Sequence, residues 1–161
     1  MTSLNIDNFN TENVVDMFGM FQNCSSLISL NLEKLKTLNV TDMGNMFENC
    51  NAMKKVGVNG FHTNNLNYMN GMFANCSSIT SISLDGFNTE NVQDMSYLFS
   101  NCNQLNNISL IGVNTKNVDK YTDIFKGVSD SGTIYYNSSY MKEDIIKQLP
   151  SNWDKKNESL N

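Results

Sequence analysis

The sequence predicts a one-domain α/β repeat solenoid, and three observations predict it. A strict 26-residue period runs through Cys24, Cys50, Cys76 and Cys102, with Phe21, Phe47, Phe73, Phe99 and Phe125 keeping the same step. Within each unit one segment alternates apolar and polar residues as a strand does, around Leu30 and Leu32, around Ile82 and Leu84, and around Ile108 and Leu110. The following segment sets Val14, Met17, Phe21 and Cys24 at steps of three and four, the spacing of one helical face. No insertion interrupts five copies. That strictness suits units that stack, because an extra residue would push every apolar column out of line.

The elements follow in order. Leu27-x-x-Leu30-x-Leu32-x-x-Leu35 is the core pattern of a leucine-rich repeat and predicts a short strand. A turn carries the columns Thr11, Thr37, Thr63, Thr89, Thr115 and Asn13, Asn39, Asn65, Asn91, Asn117. Asn13 with Asp16, Asn39 with Asp42 and Asn91 with Asp94 have the spacing of side chains that cap a helix start, so a helix of two to three turns is expected next. Parallel strands about 4.8 Å apart set against helices that need about 8–10 Å would curve the stack. The expectation is therefore a curved leucine-rich-repeat stack with parallel strands on the concave face and short helices on the convex face.

The wording of the unit, F-N-T-E-N-V-x-D-M-x-x-M/L-F-x-N-C-x-x-L-x-S-L/I-x-L, resembles the BspA-like leucine-rich repeat family of bacterial and protist surface proteins. The resemblance covers nearly the whole chain. It implies a cell-surface or secreted setting and adhesion to host or microbial partners, and it supplies no binding residues.

Two parts are expected: residues 1–133 as five repeats, and 134–161 as a capping strand and helix. Ile134-Tyr135-Tyr136 falls one period after Ile108-Ser109-Leu110 and predicts a further strand. Ser138 or Ser139 is then placed to start a helix carrying Met141, Ile145 and Leu149, ended by Pro150 ahead of Trp153. At the other end Met1 occupies the column of Leu27. The first coil is thus expected to turn Leu4, Ile6, Phe9 and Val14 outward, a surface open to self-association.

Composition narrows the function classes. With a net charge of −5, a pI near 4.7 and eleven basic residues that are all Lys, the chain lacks the clustered basic face of a nucleic-acid binder. No stretch approaches the roughly 20 apolar residues of a membrane-spanning helix, so membrane insertion is not expected.

Nor does any constellation of residues point to catalysis. The four Cys share one column that ends in Val128, which suits a buried apolar position better than a metal or disulfide site; metal clusters use paired Cys at short spacing. The methionines, Met17, Met43, Met69 and Met95 among them, read as core filling. His62 sits in a turn slot away from Cys76, so a Cys–His nucleophilic pair is not expected, and Asp16, Asp42 and Asp94 are accounted for as caps. No catalytic residue, metal ligand or cofactor is assigned.

What remains is a display surface. The outward strand positions are Ser29, Asn31 and Glu33, then Lys55 and Asn59, then Ser81, Ser83 and Asp85, then Asn107, Ser109 and Ile111. They vary while the columns beside them do not, as expected of a scaffold with a free binding face. The sequence therefore suggests a non-catalytic binding module, cell-surface or secreted, for a protein or glycan. A spacer in a larger surface protein is one alternative. An intracellular inhibitor or immunity factor is another, cytoplasmic if Met1 is the native start.

Overall fold

The computed structural model describes residues 2–158, so Met1, expected in the column of Leu27, and residues 159–161, the end of the expected cap, lie outside the described residues. Four parallel strands form one sheet in the order β1 (Ser81–Ser83), β2 (Asn107–Leu110), β3 (Ser131–Tyr136) and β4 (Asn152–Asn157). The register keeps the period: Ile82 pairs with Ile108, and Ile108 with Ile134. On the opposite side single bridges join Asp16, Asp42, Tyr68, Asp94 and Lys120, again 26 residues apart.

The expected α/β architecture is overturned between these two ladders. The segments assigned to short helices contain none; among the described residues the single helix is α1 (Glu143–Ile146), about one turn long. The reason lies in where the backbone bonds go. Met69, Gly71, Phe73 and Asn75 donate their N–H groups to Asp94, Ser96, Leu98 and Ser100 of the next coil at 2.7–3.1 Å. The residues between them, Met72, Ala74 and Cys76, close i→i−3 turns onto Met69, Gly71 and Phe73. None of these seven N–H groups makes an i→i−4 helical bond.

Two left-handed residues per coil make these turns possible. One column holds Gly19, Asn45, Gly71, Tyr97 and Asp123 at φ between 53° and 61°. Four residues on, Asn23, Asn49, Asn75, Asn101 and Gly127 lie at φ between 60° and 72°. A left-handed residue ends a right-handed helix, and Gly and Asn accept that conformation at least cost.

The curvature argument falls with the helices. The turn side of each coil is spaced by inter-coil backbone bonds, and the Phe21, Phe47, Phe73, Phe99 and Phe125 rings stack at 5.5–5.9 Å with nearly parallel planes. The packed helices whose wider spacing was expected to bend the stack are absent.

The capping reading of the turn residues is corrected in the same way. Asn39, Asn65, Asn91 and Asn117 do not accept helix N–H groups; each Nδ2 donates to a carbonyl of the preceding coil, on Glu12, Leu38, Asn64 and Glu90. Asp16, Asp42 and Asp94 each accept the N–H two residues ahead, as Asx turns do. The buried Thr column bridges forward: Thr89 Oγ1 accepts the Asn114 N–H at 2.8 Å and donates to the Asn114 carbonyl at 2.9 Å.

The C-terminal cap is a shortened coil, not a helix. Neither Ser138 nor Ser139 caps α1, whose N-cap is Lys142 with no side-chain cap bond; Asn137 Oδ1 instead accepts the Ser139 N–H and turns the chain. Tyr140 returns its carbonyl to Thr115, Gln148 bonds both the Ile124 N–H and the Tyr121 carbonyl, and Trp153 Nε1 donates to Ser129. β4 then pairs with β3, Trp153 opposite Gly132, after a step of only 21 residues. Met141, Ile145, Leu149 and Trp153 are buried as a lid on the column core.

Candidate functional site: two polar grooves

The strand side carries the residues singled out from sequence. Ser29, Asn31, Glu33, Lys55, Asn59, Ser81, Asp85 and Asn107 are exposed, and Ser83, Ser109 and Ile111 are half-buried, while Ile82, Leu84, Ile108 and Leu110 beneath them are buried. Alternation puts them there, since successive strand side chains point to opposite faces. The register aligns Ser81 with Asn107 and Ser83 with Ser109. Together with Lys55 and Asn59, and with Gly57 leaving room, these four line a shallow groove of about 430 Å³.

The remaining candidates stand outside that groove. Asp85 is already engaged, accepting the Ser109 hydroxyl at 2.6 and 2.8 Å and the Ile111 N–H at 3.0 Å. Asn31 accepts the Glu33 N–H at 3.0 Å in a local turn, and Ser29, Asn31 and Glu33 lie toward the first coils. The groove thus holds one cation, Lys55, among hydroxyl and amide groups. It suits hydrogen-bonded recognition of a neutral surface and has no nucleophile–base pair.

The cysteines are free thiols, three of them buried. Cys50, Cys76 and Cys102 each direct Sγ at a carbonyl in the preceding coil, on Phe21, Phe47 and Phe73. Burial pushes the Cys50 and Cys102 thiols up to about 12 and Cys76 higher still. His62 is exposed beside Thr37 and Leu38, and Cys76 is fully buried, so the two form no pair. Among the described residues no three His, Cys, Asp or Glu side chains gather to hold a metal ion, and no helix is long and apolar enough to cross a membrane. In the first coil Ile6 and Phe21 are buried and Leu4 and Val14 half-buried, leaving Phe9, Val15 and Phe18 exposed.

A second groove, of about 490 Å³, opens on the turn side and was not singled out from sequence. Asn45 and Glu48 form one wall, Tyr97 and Ser100 the other, and Gly71 with Ala74 the floor. The signal was present as a break in two columns. Gln22, Glu48 and Lys126 give way to Ala74 and Ser100 in one, and Gly71 is followed by Tyr97 in the other.

The 26-residue register common to both sides makes the comparison with known families direct. A family model described as "Mycoplasma protein of unknown function, DUF285" matches residues 1–81 and again 27–136. The chain belongs to this family. The second match starts 26 residues after the first, one coil along the array. Membership is in keeping with a BspA-like repeat protein and adds no separate support for the leucine-rich label. No curated protein and no solved structure is a match.

Proposed function

We propose that this chain is a non-catalytic binding module of a cell-surface or secreted BspA-like protein, engaging a host or microbial protein or glycan through its strand side. One observation carries the proposal. The buried half of every coil is nearly constant, whereas the outward positions, Lys55 and Asn59, then Ser81 and Ser83, then Asn107 and Ser109, change from coil to coil over a common groove. Parallel pairing holds Ser81, Ser83, Asn107 and Ser109 in fixed register, so a changed side chain there alters the surface without altering the frame. Lys55, Asn59, Ser81, Ser83, Asn107 and Ser109 offer hydrogen-bonding groups beside the apolar surface of Val56 and Ile82, which suits a mixed contact.

The test is binding of the purified chain to immobilised extracellular-matrix proteins and host-cell glycoproteins, beside a Ser83→Lys, Asn107→Lys double variant of equal thermal stability. Saturable binding that the double variant loses is the expected result. Absence of binding would turn the reading into that of a spacer, and binding untouched by the double variant would remove the strand side as the site.

A further inference from the structure

The turn-side groove is a local departure from an otherwise repeated surface, and its shape follows from two neighbouring coils. In the third coil the groove-lining positions are Gly71 and Ala74, the smallest pair in their columns; in the fourth they are exposed Tyr97 and buried Ser100. Gly71 is required, since a Cβ there would stand 2.2 Å from Asn45 Oδ1 and its φ is +60°. The Asn45 amide therefore lies against the glycine and forms part of the groove wall.

Tyr97 is the unusual residue. Its φ is +61°, in a column whose other members are Gly19, Asn45, Gly71 and Asp123, residue types that take the left-handed region readily. A tyrosine there is strained. Burial does not offset the strain, because the side chain remains 46% exposed at the edge of the groove. An exposed ring held in a costly conformation points to a role outside the fold.

The groups around the ring define what it would meet. Asn101 Nδ2 donates to Asn75 Oδ1 at 2.9 Å, so these amides are held in order before any ligand arrives. Glu48 accepts from Gln22 Nε2, and the one cation, Lys126, is paired with Asp123 at 2.9 Å. Glu48 beside the Asp123–Lys126 pair leaves the groove a net negative charge that repels an anion, and a floor of Gly71 and Ala74 gives no pocket for a large apolar side chain. A ring with one apolar C–H face and an edge of hydroxyls matches instead: the face stacks on Tyr97 and the hydroxyls bond to amides and carboxylate.

We infer that the turn side carries a carbohydrate site for a pyranose unit, with Tyr97 as the stacking platform and Asn45, Glu48, Asn75 and Asn101 as hydroxyl partners. It is a different surface from the strand-side groove, and neither depends on the other. The test applies the intact chain to an array of neutral pyranose oligosaccharides and titrates a retained one by calorimetry, with Tyr97→Gly and Tyr97→Phe alongside. Retention is expected. Tyr97→Gly should weaken binding by about tenfold, the worth of one lost stacking contact, and should raise the melting temperature by releasing the strained φ. Tyr97→Phe should keep both properties close to wild type. The strand-side double variant should bind the oligosaccharide unchanged, which separates this inference from the preceding proposal. An array that retains nothing overturns it. So does undiminished binding by Tyr97→Gly, or a Tyr97→Gly chain that melts below wild type, because Tyr97 would then be a structural residue.

Discussion

Replacing Gly71 by Ala separates a stack of turns from a stack of helices by the sign of its effect. In the middle of a helix the change would stabilise by about 0.5–1 kcal/mol, because glycine has more backbone freedom to lose. Here Gly71 has φ +60°, and the added Cβ would stand 2.2 Å from Asn45 Oδ1. The left-handed conformation alone costs an L-residue about 1–2 kcal/mol. Asn45 Oδ1 must also move, which rotation of its side chain supplies at small cost. For a chain of this size each kcal/mol shifts the melting temperature by about 2–4 °C, so a fall of about 2–8 °C is expected. Gly57→Ala is the control. Nothing lies within 4 Å of its Cβ position, and no positive φ is involved, so a neutral effect or a gain of up to about 1 kcal/mol is expected. Circular dichroism melts and urea midpoints of both variants supply the measurement. A Gly71→Ala chain more stable than wild type would refute the turn geometry.

Asn91→Asp tests the direction of the inter-coil bond from Asn91 Nδ2 to the Asn64 carbonyl. Asp caps a helix as well as Asn does, but it cannot donate to a carbonyl, so a urea-melt loss of about 0.5–1.5 kcal/mol is expected; an unchanged midpoint would restore the cap. Thr89→Val leaves the half-buried Asn114 N–H without its acceptor, at a cost of about 1–2 kcal/mol, whereas Thr89→Ser should keep most of the stability. Thiol labelling in native buffer should modify half-buried Cys24 first and leave Cys50, Cys76 and Cys102 until the chain unfolds. The raised thiols also set a pH dependence. Unfolded Cys102 releases its proton near its ordinary 9.0 while the folded thiol holds it to about 12. Stability is therefore fully present below 9.0 and falls as pH rises from there toward about 12. Cys102→Ala should remove part of that slope in urea melts.

The period, the core columns and the strand at Ile134-Tyr135-Tyr136 were legible because a strict repeat leaves the stacking register little freedom. The helix was misread for a physical reason. Consecutive i→i−3 turns place Val14, Met17, Phe21 and Cys24 at the same three- and four-residue steps as a helical face, so apolar spacing cannot tell the two apart. The deciding residues were Gly19 and Asn23 and their column mates, Gly or Asn at most positions, which mark two left-handed turns inside a supposed helix. β4 was missed because Asn152–Asn157 is polar apart from Trp153 and shows no alternation; it pairs through its backbone and buries one ring. The strand-side residues were found by alternation alone. The turn-side groove needed the three-dimensional juxtaposition of Gly71, Ala74 and Tyr97.

Scalar couplings across hydrogen bonds, recorded by NMR on a deuterated sample, measure the central feature directly because each cross-peak names donor and acceptor. Stacked turns require correlations from the amides of Gly71, Phe73 and Asn75 to the carbonyls of Ser96, Leu98 and Ser100. Correlations from Phe73 to Met69 and from Asn75 to Gly71, four residues back within one coil, would instead establish a helix and contradict the fold described here.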